Sequence, residues 1–203
     1  MSDEHLKTSE DRLWALIEER SKTQDPAAVD QRIWDLFGET WAVMFTDLSG
    51  FSRHVESFGI LHFLQIIHEH KLLLDPVIGA HDGILIKTEA DSLLIIFRRT
   101  ASAVKCAVHM QRVLHRFNEQ RAPEVQVLLC VGIGYGPILR IGDKDVFGQQ
   151  VNAASKLGED TAKANEILVT QAAKESAGEL AGVSYQRLED KVAGSQVNFR
   201  VSY

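Results

Sequence analysis

The stretch Trp41–Ser52, WAVMFTDLSGFS, sets the strongest limit on how this chain can fold. Trp41 to Phe45 are all apolar, and a short unbroken run of that kind, closed by turn residues, predicts a strand buried in the middle of a sheet. Asp47 follows one residue later, and Ser49, Gly50 and Ser52 then offer a small-residue turn with open backbone N–H groups before a second apolar stretch begins. A carboxylate at the mouth of a buried strand, beside a turn that leads into a helix, can hold a divalent cation next to amides suited to phosphate. The plainer alternative is that Asp47 or Ser49 caps the following helix.

The rest of the composition narrows the class of partner. With 203 residues the chain can bury one substantial core, and 45% hydrophobic with 25% charged residues is ordinary for a globular protein. A net charge of −6 with no basic cluster argues against nucleic acid or an anionic membrane surface as the main partner. A nucleotide fits if metal ions offset its phosphates. Cys106 and Cys130 both sit in apolar segments, which predicts core thiols rather than a disulfide framework. No apolar run approaches the length of a membrane span, and the start MSDEHLKTSEDR is too polar for a signal peptide. The expectation is a cytoplasmic chain with no membrane segment.

Taken in order, Thr8 with Asp11 predicts a capping box ahead of a helix to about Arg20, with Leu13, Leu16 and Ile17 on one face. Asp25–Pro26 predicts the start of a second helix to about Phe37, its buried stripe formed by Val29, Ile33, Leu36 and Phe37. After the central strand, Phe51 to His81 carries Ile60, Phe63, Leu64 and Ile67 at helical spacing, with a break or kink expected near Pro76. His62, His68 and His70 fall in this segment and are expected to be packed or solvated rather than metal-bound. Ile84–Lys87 and Asp91–Phe97 read as a hairpin with Lys87 and Asp91 at its connecting end. Thr100 is expected to cap a helix whose apolar stripe is Ala103, Ala107, Met110, Leu114 and Phe117. Val125–Gly136 reads as a strand that Pro137 and its neighbouring glycines break or bulge, with Ile138–Ile141 as a short continuation. A turn at Gly142–Asp145, a helix from Phe147 to about Leu157, a strand at Ile167–Thr170, a helix at Gln171–Ala177 and a last strand pair around Gly194 complete the chain.

The order β, α, β, β, α, β predicts an α+β fold: a ferredoxin-like core with extra strands and helices at its C-terminal side and a helical extension at its N-terminal side. The expected division is residues 1–39 for the helical extension and 40–203 for the main domain. In such a core Asp47 and Asp91 end neighbouring strands, and two carboxylates there can hold two Mg²⁺ or Mn²⁺ ions for an in-line attack on a phosphate.

Together with Lys87, Asp145, Asn152 and Lys156, these acids form a pattern that resembles the catalytic domain of class III nucleotidyl cyclases, the adenylate and guanylate cyclase family. Phe45–Ser52 resembles the family's first metal motif, which implies that Asp47 and the carbonyl of Leu48 bind metal while the turn at Ser49, Gly50 and Phe51 holds the triphosphate. Lys87–Asp91 is similar to the family's hairpin of lysine, two residues, glycine and aspartate, which implies a base-reading Lys87 and a second metal ligand, Asp91. Asp145–Ser155 resembles the other half-site, with Asp145 reading adenine and Asn152 orienting the ribose. Lys156 stands where the family usually has an arginine opposite the α-phosphate, and Lys191 resembles its triphosphate-binding lysine. Ala90 replaces the usual glycine.

The resemblance implies a homodimer with two interfacial sites, in which the acids of one protomer face Lys87, Asp145, Asn152 and Lys156 of the other. It also implies conversion of ATP to cyclic AMP and pyrophosphate. Hydrogen-bond logic agrees with ATP: adenine offers an acceptor at N1 and a donor at its amine, Lys87 only donates, and ionised Asp145 only accepts. The alternatives are a weak or inactive nucleotide-binding regulatory module and a cyclase that uses another nucleoside triphosphate.

Overall fold

The computed structural model describes residues 8–49 and 59–203. The expectations that fall on Gly50, Phe51 and the first part of the following helix lie outside the described residues.

Two short helices, α1 (Ser9–Lys22) and α2 (Pro26–Phe37), open the described chain. The capping box at Thr8 and Asp11 is present, and Asp25 caps α2 with Pro26 at its first position, because both motifs satisfy amides that the first turn leaves free. The buried face consists of Leu13, Leu16, Val29, Ile33 and Phe37, packed against Ile141, at a gross gain of about 1.5–3 kcal/mol per side chain. Ile17 and Leu36 differ from expectation: they are 38% and 56% exposed, since each helix is buried along a single stripe.

β1 (Gly38–Leu48) extends the apolar run by three residues on each side and is buried on both faces from Trp41 to Met44. Helix α3 (Ile60–Ala80) follows, and it passes through Pro76 without ending there. Its buried side is Phe63, Ile66, Ile67, Leu74, Val77 and Ile78, whereas Ile60 and Leu64 face out. β2 (Ile84–Glu89) and β3 (Ser92–Phe97) form the expected hairpin. Next come α4 (Thr100–Asn118) and β4 (Leu129–Ile141), separated by a short turn of helix at Pro123–Val125. Thr100 is the first residue of α4 rather than its cap, and its hydroxyl instead shares a hydrogen bond with Ser176 at 2.8 Å.

After β4 the chain forms β5 (Asp145–Phe147), α5 (Gln149–Ser155) with a wide turn at Lys156–Thr161, β6 (Ile167–Thr170), α6 (Gln171–Ala177), β7 (Ser184–Arg187) and β8 (Asn198–Ser202). The sheet runs β2-β3-β1-β4-β6-β8-β7, with β5 paired to β4. Its first four members are the ferredoxin-like set, all antiparallel, while β6 joins β4 in parallel. Successive residues of a strand face opposite sides. On β1, Ala42, Met44 and Leu48 enter the larger core with α3, α4 and α6, and Trp41 and Val43 enter a smaller cluster capped by α5.

The glycines of β4 do not break it. Gly132, Gly134 and Gly136 pair with Phe45, Val43 and Trp41, so they share one face, and that face lies directly under α5. A Cβ on Gly132 would sit 2.1 Å from the Ala154 carbonyl oxygen, and one on Gly134 would sit 2.6 Å from that of Gln150. The strand stays continuous because what the glycines supply is room for a helix backbone, not a bend.

Candidate active site

The antiparallel register of β1 and β3 pairs Thr46 with Leu93, which sets Asp47 beside Ser92 and Leu48 beside Asp91. The Ser92 hydroxyl donates to Asp47 Oδ1 at 3.0 Å, and the Leu48 amide donates to the Asp91 carboxyl. Burial pushes Asp47 up to about 6, reinforced by the negative charges of Asp91 and Glu159 and opposed by the Ser92 hydroxyl. Burial also raises Asp91, against the amides and the Asp47 contact that hold it down. Asp91 is only 7% exposed, and no cation pairs with either acid among the described residues. Two carboxyls with neutral donors alone beside them are short of positive charge.

That donor set fits a hard divalent ion. No group of three or more histidine, cysteine, aspartate or glutamate side chains poised for a metal occurs among the described residues, so an ion here must complete its shell from backbone, water or phosphate oxygens. Magnesium commonly binds in that way, through one or two carboxylates and its substrate's phosphates.

Ser49 is placed otherwise than expected. Its amide donates to the Leu128 carbonyl at 2.8 Å, lengthening the β1–β4 ladder, and its hydroxyl hydrogen-bonds with the Cys130 thiol. The Ser49 N–H is therefore committed to the sheet and not open to phosphate. Cys106 and Cys130 are buried free thiols, both pushed up to about 12 by burial.

A second constellation forms where β2 approaches β5. Lys87 Nζ donates to Asp145 Oδ2 at 2.5 Å, and Asp145 Oδ1 accepts from the Val146 amide at 2.8 Å. This hydrogen bond holds the Lys87 ammonium above its usual range. Register explains the meeting: Leu85 pairs with Ile95 but Lys87 pairs with Leu94, so Ile86 is an extra residue that bulges β2. The bulge turns Ile86 into the smaller core cluster and leaves Lys87 half-buried at Asp145. Ala90 and Asp91 form the two-residue connection between β2 and β3, so Asp91 lies in the turn rather than in the strand as expected, and Ala90 has φ of +50°, the conformation for which glycine is the usual residue.

Asn152 is exposed on α5, and Lys156 follows one turn later, its ammonium donating to Asp160 at 2.7 Å and raised by that bond. Lys191 is exposed on the segment before the Val192–Ser195 bridge, and Gly194 of that segment packs against the Gln149 carbonyl of α5. Among the described residues, no side-chain hydrogen bond or ion pair joins Asn152 or Lys191 to the other candidate residues. Within one chain, then, the structure assembles Asp47 with Asp91 and Lys87 with Asp145 as separate sets.

Three contributors escaped the sequence reading. Ser92 orients Asp47, Glu159 adds negative charge to both acids, and α1 walls the lysine set. A cavity of about 410 Å³ is lined by Lys87 and Asp145 together with Glu10, Leu13 and Trp14, and Lys144 pairs with Glu10 at 3.2 Å. Only Ser92 had a signal in the sequence, as the neighbour of Asp91 on a strand expected beside Asp47.

Comparison with known proteins accords with this geometry. A putative adenylate cyclase of Rhizobium meliloti is 29% identical over 116 residues, which is 57% of this chain but 20% of that protein. The adenylyl cyclase CyaB from P. aeruginosa superposes with a TM-score of 0.69 at 18% identity, covering 82% of this chain and 95% of that one. The catalytic core of a rhodopsin-guanylyl cyclase with converted specificity, in complex with ATPαS, gives 0.69 at 17% identity, covering 81% and 97%. At these identities the structural matches speak for the fold alone. No helix among the described residues is long and apolar enough to cross a membrane. The sequence model of the adenylate and guanylate cyclase catalytic domain matches residues 38–196, more than three quarters of the chain, and the chain belongs to that family.

Proposed function

We propose that this domain is an adenylate cyclase, converting ATP to cyclic AMP and pyrophosphate in clefts shared by two copies of the chain. The observation that carries the reading is the Lys87–Asp145 pair, a fixed donor beside a fixed acceptor. Bonding to each other leaves Lys87 two further N–H donors and Asp145 spare lone pairs, enough for adenine N1 and the adenine amine at once. Guanine presents the opposite pattern along the same edge and leaves both groups facing like partners.

The remaining roles follow from placement. Asp47, Asp91 and the Leu48 carbonyl are the groups that would hold Mg²⁺ or Mn²⁺, two ions per site. When bound, these ions supply charge neutralisation and activation of the ribose 3′-hydroxyl. Ser92 keeps Asp47 oriented by its hydrogen bond. Asn152 on α5 and Lys156, one turn later at the start of the wide turn, present an amide for the ribose and a positive charge for the α-phosphate. Lys191 is assigned to the triphosphate. Because the acids and the base-reading pair form separate sets within one chain, a homodimer completes each site by bringing one set from each copy.

The deciding experiment is a product assay with Mn²⁺ and each of the four nucleoside triphosphates. Cyclic AMP as the main product is expected, and preference for GTP would overturn the base reading. Mixing Asp47→Ala with Asn152→Ala, both expected to be inactive alone, tests the shared cleft. Each heterodimer keeps one intact site, so activity should return on mixing, and a mixture as inactive as its parts would sink the dimer. A second reading, a nucleotide-binding module with weak turnover, is favoured by Lys156, whose charge is tied to Asp160 and lacks the planar fork of arginine. Under that reading ATP binds without cyclic product, and Lys156→Arg restores turnover.

A further inference from the structure

The side of the sheet opposite Asp47, covered by α4, holds a cavity of about 550 Å³ that the cyclase chemistry does not use. Gln111, Arg112, His115 and Arg116 of α4 line it, with Asn165 and Tyr203. Helix α4 contains no acidic residue, and among the described residues no carboxylate pairs with Arg112, His115 or Arg116. Three basic side chains gathered at one cavity without a carboxylate partner give a local positive field that an anion would relieve. Arg112 and Arg116 are one helical turn apart, a spacing that lets both guanidinium groups reach one phosphate.

Two further features give the ligand a shape. Gln111 is 3% exposed, and its amide is oriented by donation to the Leu129 carbonyl at 3.0 Å. That bond fixes the side chain where it contributes to the wall of the cavity, with Oε1 itself buried away from it. Tyr203 donates to the Asn165 carbonyl at 3.1 Å, which holds its half-exposed ring as a flat wall. We propose that this cavity binds a nucleoside monophosphate, with the phosphate at Arg112 and Arg116 and the base against Tyr203.

The test is calorimetric titration of the purified chain with AMP, without divalent ions and in a Lys87→Ala background, so that neither metal-bound phosphate nor base reading at the catalytic cleft contributes. One AMP per chain is expected to bind. Arg112→Glu combined with Arg116→Glu should weaken it by about tenfold or more, with the melting temperature unchanged because both side chains are exposed. Tyr203→Ala, which removes no core side chain, should weaken AMP several-fold. The assignment is overturned if AMP fails to bind at millimolar concentration, if charge reversal leaves its affinity unchanged, or if inorganic phosphate or adenosine binds as tightly as AMP.

Discussion

Asp47 and Asp91 meet across β1 and β3 with no cation beside them among the described residues, whereas Lys87 and Asp145 meet across β2 and β5 as a closed ion pair. One set is held in a state that its own charges disfavour. The other is satisfied before any ligand arrives. Under the proposed function the contrast separates two design problems: a group meant to attract ions is left electrically incomplete, and a group meant to discriminate between bases is fixed and already oriented. Breaking the first set should remove activity, while altering the second should redirect it.

The largest effect is expected from Asp47→Ala or Asp91→Ala, each lowering the Mn²⁺-dependent rate by about a thousandfold or more, the scale of a lost metal contribution. Cyclic nucleotide formation in purified protein measures it, and full activity in either variant rejects the metal assignment. Next comes the charge exchange Lys87→Glu with Asp145→Lys, which keeps an ion pair but reverses donor and acceptor. The ratio of ATP to GTP turnover should fall by about 10-fold to 100-fold, since each mismatched polar contact costs about 1–3 kcal/mol. An unchanged ratio would show that the pair is structural and reads no base.

A third experiment probes the incomplete set without catalysis. Asp47 titrates at about 6 folded and near 3.8 unfolded, so between these values the folded state binds more protons. Stability therefore falls as pH rises through that window, and the metal-free protein carries the full penalty at neutral pH. Asp47→Asn should raise metal-free stability by about 1–3 kcal/mol near pH 7, with the gain vanishing below about pH 4. Saturating Mn²⁺ should reverse the order by stabilising the wild type alone. Denaturant melts at several pH values would record it, and an Asn variant that is less stable at neutral pH would show that the acids are not strained.

The same contrast explains what could be read in the chain. The hairpin, the buried first strand and the neighbouring ends of β1 and β3 follow from apolar runs and turn residues, so Asp47 and Asp91 were legible as a pair. Lys87 and Asp145 are 58 residues apart, and their meeting depends on the bulge at Ile86, which local pattern does not show. The β4 glycines misled for a related reason: read locally they are breakers, but the helix laid across them is a tertiary fact. Ser49 looked open because its amide partner, Leu128, belongs to a distant segment. The wall formed by Leu13 and Trp14 was hidden because helical patterning gives a face but not its neighbour.

The smallest effect belongs to the turn that joins the two sets, since the two-residue connection between β2 and β3 consists of Ala90, at φ +50°, and Asp91. An L-residue there sets Cβ against the following carbonyl, a penalty of about 1–2 kcal/mol that glycine does not have, partly offset by glycine's greater freedom in the unfolded chain. Ala90→Gly should therefore stabilise by about 0.5–1 kcal/mol and raise the melting temperature by roughly 1–4 °C for a domain of this size. Because Asp91 is the next residue, relief of strain at Ala90 also asks whether that strain positions the acid. Unchanged metal dependence with higher stability makes the alanine a purely conformational burden, while a weaker Mn²⁺ requirement or response would show that the left-handed alanine holds Asp91 toward Asp47.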